Sequence, residues 1–407
     1  MDQRKVANLI MKLNEVLEDK SRILDISNLK SDGSGAKIIA KPKKTTKTLS
    51  SEHPTITNNY EAYEIFLKLI SEDKNIHSDD VKKNIDSFYA VKNKIFTSAD
   101  LLLTENTGKM KYQETGDWIK KNLHWGQRKL FLSEVEFFSI FWKPREIPNP
   151  LCVYAGAAPG KHIPLLSEMF PNIEFHLYDP AHFAIQNSNK IKIFNKYFTD
   201  DVAKKYSNKN NIFFICDIRT SDFEGQKKKL IAKNELLKDE EIELAAREEN
   251  ESQIFGDMRM QEQWVLIMNP EHCLLKFRLP YPNLTNKSSI TYLFGKVFFQ
   301  IWAPGRSNET RLKPTRNENG QYFQINWNII EYDERCYYFS KVIREEYQYQ
   351  NFFTENNEPL DDPELLNDYD STAEAFIFKL YFNLILNDNF DIYNKVKQIS
   401  KNSYGSN

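Results

Sequence analysis

The sequence predicts an α/β fold, with a central, mostly parallel β-sheet covered by helices on both faces. Three observations carry that prediction. From about residue 105 to 350, apolar runs of strand length alternate with segments of helical spacing. The first run, LCVYAGA (151–157), passes through a glycine-bearing turn, VYAGAAPG (153–160), straight into a helical segment. Two later runs end on acids, Asp179 and Asp217, and open α/β sheets bind ligands beyond the carboxyl ends of their strands.

The elements follow in order. Residues 1–20 place Val6, Ile10, Leu13 and Leu17 at helical spacing. Residues 28–58 are rich in Ser, Thr, Lys and Gly and read as a flexible linker; 60–71 and 80–96 read as short helices. Together, 1–100 form a partly helical N-terminal extension. WGQRKLFLSEVEFFSIFW (125–142) has helical spacing, and 160–170 puts Ile163, Leu166 and Phe170 on one face. IEFHLYD (173–179), KIKIF (190–194), NIFFICD (211–217), HCLLKFRL (272–279) and KVFFQIWA (296–303) read as strands, with a helix near 258–267. Within an insertion at 222–257, the run KKKLIAKNELLKDEEIELAAREENE (227–251) is mostly charged and predicts a solvated helix or a disordered segment. The expected organisation is a 101–350 domain carrying that insertion, then a 351–407 tail, helical at 372–386 and polar at 398–407.

Composition narrows the class. The chain has 407 residues, more than one ordinary core takes, and 28% of them are charged. Its net charge of −2 means that any nucleic-acid binding must come from a local groove, not a global basic field. The four cysteines, at 152, 216, 273 and 336, match no zinc or C-x-x-C spacing, so no metal site is expected. Three lie in or beside strand candidates, which predicts reduced, buried thiols in a cytosol-like compartment. Residues 1–20 lack the apolar run of a secretory signal, and AFIFKLYFNLIL (375–386) is too short to cross a bilayer and contains Lys379.

The candidate chemistry sits at the strand ends. Gly156 and Gly160 allow close backbone approach, and the loop is neither G-x-G-x-x-G nor followed by a GK[ST]. It suits a ligand bearing a carboxylate, such as the amino-acid end of S-adenosylmethionine, or it is a tight turn. Asp179 is spaced to meet ribose hydroxyls, although Asp179-Pro180 is also an ordinary turn starter. Asp217, after an apolar strand, needs a partner: Arg219, a lysine, or a ligand cation. Lys276, between Leu275 and Phe277, is either such a partner or an edge lysine facing water.

Taken together, GQRKLFLSEVEFF (126–138), VYAGAAPGKHI (153–163), the Asp179 strand end, ICDIR (215–219), LKFRLPYP (275–282), WAPGRSNETR (302–311) and YDERCYYFSKVIR (332–344) resemble the poxvirus-type cap-specific mRNA 2′-O-methyltransferases, which also serve as small subunits of poly(A) polymerase. The resemblance covers about 110–345. It implies a Rossmann-like methyltransferase fold that uses S-adenosylmethionine. It places a Lys-Asp-Lys-Glu catalytic set on Lys129, Asp217, Lys276 and Glu309. Cofactor contacts fall on Gln127, Tyr154, Gly156, Gly160, Asp179 and Asp217, with an adenine-side contact near Phe198. A cap-guanine pocket falls on Tyr281 as a stacking ring and Asp333 as the base-edge acid, with Tyr112 as a second ring.

Departures from the family pattern are Ala181 for an arginine, Asn283 for an acid of the pocket and Arg306 for a pocket tyrosine. The RNA backbone is expected to follow Arg278, Arg306, Arg311 and the 119–129 segment, with Lys120, Lys121 and Arg128. The implied partners are capped mRNA and a poly(A) polymerase catalytic subunit, with no membrane; the implied location is the cytoplasm, in a virion or viral factory. The alternatives are an RNA-binding processivity subunit without catalysis and an rRNA-type 2′-O-methyltransferase that would lack the Tyr281/Asp333 pocket.

Overall fold

A computed structural model of the chain describes residues 94–113, 126–207, 209–233, 238–304, 307–347, 349 and 368–385. The N-terminal extension expected at 1–100 lies almost wholly outside these residues, as do Lys120, Lys121, Arg306 and the polar 398–407 stretch.

The first half of the fold comprises β1 (Leu102–Leu103), α1 (Gly126–Phe141), β2 (Leu151–Ala155), α2 (Ile163–Met169), β3 (Glu174–Tyr178), β4 (Ile191–Phe194), α3 (Asp200–Lys204) and β5 (Ile212–Cys216). The second comprises α4 (Phe223–Lys233), α5 (Asp239–Met268), β6 (His272–Phe277), β7 (Ser289–Leu293), β8 (Gly295–Phe298), β9 (Thr310–Pro314), β10 (Gln324–Asn328), α6 (Ile329–Tyr338) and α7 (Tyr369–Ile385). Among the described residues, eight strands form one sheet in the order β1-β8-β9-β6-β5-β2-β3-β4. The run β4-β3-β2-β5-β6 is parallel, and β9, β8 and β1 extend it antiparallel beyond β6. The chain leaves β2 toward β3 and β4, then returns to its other side as β5. That reversal opens a crevice beyond the carboxyl end of β2.

Strand alternation sorts the core. Cys152, Tyr154, Phe213 and Ile215 face a cluster with Phe131 and Phe138 of α1 and Phe378 and Phe382 of α7. Val153, Ala155, Phe214 and Cys216 face the other cluster, with Met258, Trp264 and Val265 of α5. Strands covered on both sides read as unbroken apolar runs, which is why β2 and β5 were legible. All four cysteines are free and buried. No helix among the described residues is long and apolar enough to cross a membrane.

Two elements depart from the expectation, and the charged run, where described, takes its helical alternative. The run at 296–303 stops as a strand at Phe298. Trp302 turns the chain at φ 55°, fixed by its N–H to Asp370 Oδ1 (3.0 Å) and its indole Nε1 to Glu374 Oε2 (2.6 Å). The charged 227–251 run belongs to α4 and to α5, a single helix of 30 residues, which pack on each other. The helix expected at 258–267 is the C-terminal third of α5, and its apolar side chains enter the core while Glu251 and Asp257 are buried as well. The helix from the expected tail packs on α1: Arg128 Nε binds Glu374 Oε2 at 2.9 Å, and its Nη2 binds Oε1.

Candidate active site

Four elements bring one charged cluster together. Lys129 comes from the first turn of α1, Asp217 follows β5, Lys276 lies in β6 and Glu309 immediately precedes β9. Lys129 Nζ is 3.1 Å from Glu309 Oε1; Lys276 Nζ is 3.2 Å from Asp217 Oδ1 and 3.7 Å from Glu309 Oε2. The four side chains are 13–15% exposed, so the cluster is nearly but not fully closed to solvent. The structure thus gives Lys276 two carboxylates and rules out a water-facing edge position for it.

Of the partners weighed for Asp217, the lysine is present as Lys276, and Arg219 goes elsewhere. Its Nη2 is 3.0 Å from Glu309 Oε2, and its Nη1 lies 4.0 Å from Asp257. Asp217 also pairs with Arg311 Nη2, at 2.7 Å. Arg311 is 3% exposed and opposite Lys276 in the β6–β9 register, so it belongs to the cluster and is not placed on an RNA path. Arg128 is likewise buried against Glu374 and Trp302, not turned toward RNA. Burial tends to raise the Glu309 carboxyl, but Lys129, Lys276, Arg311 and Arg219 outweigh it and hold that group well below its ordinary value. The same contest, with Arg311 and then Lys276 as the leading cations, holds Asp217 low. Burial pulls the Lys129 ammonium below the ordinary lysine value, against Glu309.

The glycine turn lies beside this cluster. Gly156 has φ 80°, and a Cβ there would come within 2.8 Å of the Asp217 carbonyl carbon and the Ile218 nitrogen. Gly160 has φ 69°, and a Cβ would crowd Ala157 O at 3.2 Å and Ile185 at 3.3 Å. Only glycine fits both without strain. Asp179 takes the turn role weighed from sequence: Oδ1 accepts from Ala181 N (2.8 Å), while Oδ2 accepts from Ala158 N (3.2 Å), tying the acid to the glycine loop. Tyr154 is buried with its hydroxyl on Glu134 Oε1 (2.8 Å), and His162 Nε2 binds the same carboxylate (3.0 Å). Phe198 is a core residue, 7% exposed, packed on Tyr178, Phe214 and Trp264, so its ring is used by packing before any adenine. Gln127 lies in the first turn of α1, and its side chain is outside the described residues.

A second region gathers the aromatic candidates. A cavity of about 890 Å³ is lined by Tyr112, Tyr281, Asn283 and Asp333, together with Glu251 and Tyr337. Tyr112 meets Tyr337 edge-on at 5.2 Å. Burial pushes the Asp333 carboxyl above its ordinary value, while Asn308 Nδ2 orients its Oδ1 at 3.1 Å. Arg278 is buried: its Nη2 is 2.6 Å from Glu251 Oε1 and its guanidinium lies 4.7 Å from the Tyr281 ring centre. It supports the cleft from behind and does not line a surface path. Glu251 and Asp257 were invisible from sequence, because nothing marks particular carboxylates in a charged helix as buried ones. Arg311 carried a signal, as a cation in the β-run TRLKP, but not its partner.

A parallel sheet that reverses at β2, a glycine turn beyond it, and antiparallel strands added at one edge make this a Rossmann-like methyltransferase fold. The chain belongs to the poly A polymerase regulatory subunit family, which matches it over residues 95–401. It is 26% identical over 236 residues to a Myxoma virus (strain Lausanne) protein named cap-specific mRNA (nucleoside-2'-O-)-methyltransferase, a match covering 55% of this chain and 63% of that protein. A Fowlpox virus (strain NVSL) protein of the same name is 26% identical over 235 residues, 54% of this chain and 68% of its own length.

Proposed function

We propose that the protein is an mRNA cap-specific 2′-O-methyltransferase, transferring a methyl group from S-adenosylmethionine to the ribose 2′-OH of the first transcribed nucleotide of capped mRNA. The observation that carries this reading is the convergence of Lys129, Asp217, Lys276 and Glu309 within 3.1–3.7 Å contacts beside the glycine turn. The shared name of the viral relatives supports it.

The residues present fit the donor. Gly156 and Gly160 would admit its amino-acid end against backbone, Asp179 keeps an acceptor at the end of β3 for ribose hydroxyls, and Asp217 offers a carboxylate at the edge of the cluster. When bound, S-adenosylmethionine supplies an electrophilic methyl on a sulfonium. The chain does the rest. Lys276 Nζ, held by Asp217 and Glu309, orients the 2′-oxygen and, as the neutral amine, accepts the proton that leaves it, becoming an ammonium; such general-base help is worth ~10²–10⁴-fold. Lys129, which shares Glu309, adds a second positive group that favours oxyanion character on that oxygen. Alignment of the two reacting atoms contributes further, up to ~7–11 kcal/mol in favourable cases. In the cleft, Tyr281 stacks a cationic methylated guanine and Asp333 accepts from its edge.

The test is methyl transfer to capped RNA against the same RNA uncapped, with the modified nucleotide mapped. Transfer to the first nucleotide's 2′-OH of capped RNA alone supports the reading; equal transfer to both RNAs, or to a base, ends it. The family match supports a further role as the regulatory subunit of a poly(A) polymerase catalytic subunit, in the cytoplasm where viral transcripts are made. Co-purification of such a subunit, with longer tails in its presence, tests that role separately.

A further inference from the structure

We infer that Glu251, on the helix that enters as an apparent insertion, is a specificity-determining residue: by neutralising the guanidinium behind the stacking ring, it sets the preference of the cleft for a cationic base over a neutral one. This rests on the cap-binding reading of the cleft given above.

The geometry is a layered stack. Tyr281 lines the cavity, and one side of its ring is taken by the Arg278 guanidinium, 4.7 Å from the ring centre. A guest base must therefore use the opposite side. A cation stacked there faces a second cation through the ring, roughly 8–9 Å away, and both draw on the same ring quadrupole. A neutral base meets no such opposition. Glu251 removes it. Its Oε1 is 2.6 Å from Arg278 Nη2, and its Oε2 accepts the Tyr281 backbone N–H at 3.3 Å. Both charged side chains are under one-tenth exposed, so their pairing is little screened by water. The one carboxylate thus cancels the charge under the ring and fixes the ring's own backbone. Other acids near the guest, Asp333 and Glu334, lie on α6 and do not touch Arg278 in this way.

The test uses the full chain. Dissociation constants are measured for a cap dinucleotide carrying N7-methylated guanine and for its unmethylated counterpart, and the ratio of the two is the readout. S-adenosylhomocysteine binding in the same samples reports folding. Glu251→Gln keeps the shape and leaves Arg278 uncompensated; it is expected to lower the preference for the methylated analogue about three- to tenfold. Arg278→Gln leaves an unneutralised carboxylate behind the ring, and the preference is expected to rise. The double variant is expected near the wild-type ratio. A residue that only props the cleft would weaken both analogues alike. So an unchanged ratio in Glu251→Gln, or a lowered ratio in Arg278→Gln, overturns the inference and leaves the cap reading standing. If Glu251→Gln does not fold, Arg278→Gln decides alone: a raised ratio supports the inference, and no rise overturns it. A wild-type chain that binds neither analogue overturns the cap reading, and this inference with it.

Discussion

Lys276 and Arg278 leave the same stretch of chain two residues apart, yet they enter regions built on opposite plans. Around Lys276, each carboxylate of the tetrad has cations against it, and Asp217 and Glu309 are held below their ordinary values. Around Arg278, the cleft mixes rings with acids, and burial leaves the Asp333 carboxyl above its ordinary value. The first region is interlocked and fixes positions, as alignment of a reaction requires. The second is open and keeps acidity adjustable, as recognition of a charged guest requires. The two regions thus hold their carboxyls on opposite sides of the ordinary value, by pairing with cations in one and by burial in the other.

The sharpest way to break that distinction is Lys276→Ala. Turnover on capped RNA should fall ~10²–10⁴-fold, while the affinities for S-adenosylhomocysteine and for a cap analogue stay within about twofold. Near-normal turnover would remove Lys276 from the reaction. Next in size, Arg311→Met strips Asp217 of its nearest cation and should cost about 3–5 kcal/mol of stability in urea unfolding, since a buried charge is left uncompensated. A loss under 1 kcal/mol would show that Lys276 alone suffices.

Gly156→Ala should be smaller, about 1–3 kcal/mol, because it forces an L side chain to φ 80° against the Asp217–Ile218 backbone. It should weaken donor binding and leave cap binding alone, which separates the two regions directly.

The smallest effect is in pH. On the proposed reading Asp333 accepts best, and offers charge to a cationic guest, when ionised, and its raised value means it protonates at higher pH than an ordinary Asp. Cap-analogue affinity should therefore decline on acidification while S-adenosylhomocysteine still binds, and Asp333→Asn should flatten that decline. Arg278 and Asn308 oppose the shift, and Glu334 and Glu251 add to it. Asp217 and Glu309 behave oppositely: their folded values are depressed, so the stability they contribute is present above the ordinary carboxylate range and is lost only as pH falls through the lower folded values.

Much of the fold was legible because central strands of a parallel sheet advertise themselves. IFFIC and LCVYA are buried on every or nearly every residue, and no helix pattern competes. The antiparallel strands β7, β9 and β10 were not. β9 contains Arg311 and Lys313 and ends on Pro314, a composition that argues against a central strand unless a buried acid receives the arginine. Asp217 and Lys276 stood out because they end or interrupt apolar runs, whereas Lys129 and Glu309 were named only by the family resemblance. Glu251, Asp257 and Glu262 could not be placed, since α5 offers many carboxylates and only packing selects these three.

Arg128 and Glu374 sit 246 positions apart, yet they join α1, which bears Lys129, to α7, while Trp302 closes the same junction. On the ribosome, at ~5–20 residues per second, that gap amounts to about 10–50 seconds of synthesis. Through that interval a newly made chain carries Lys129 on a helix that lacks its last fastening. The junction that anchors the Lys129 helix can therefore close only after residues near 374 have emerged.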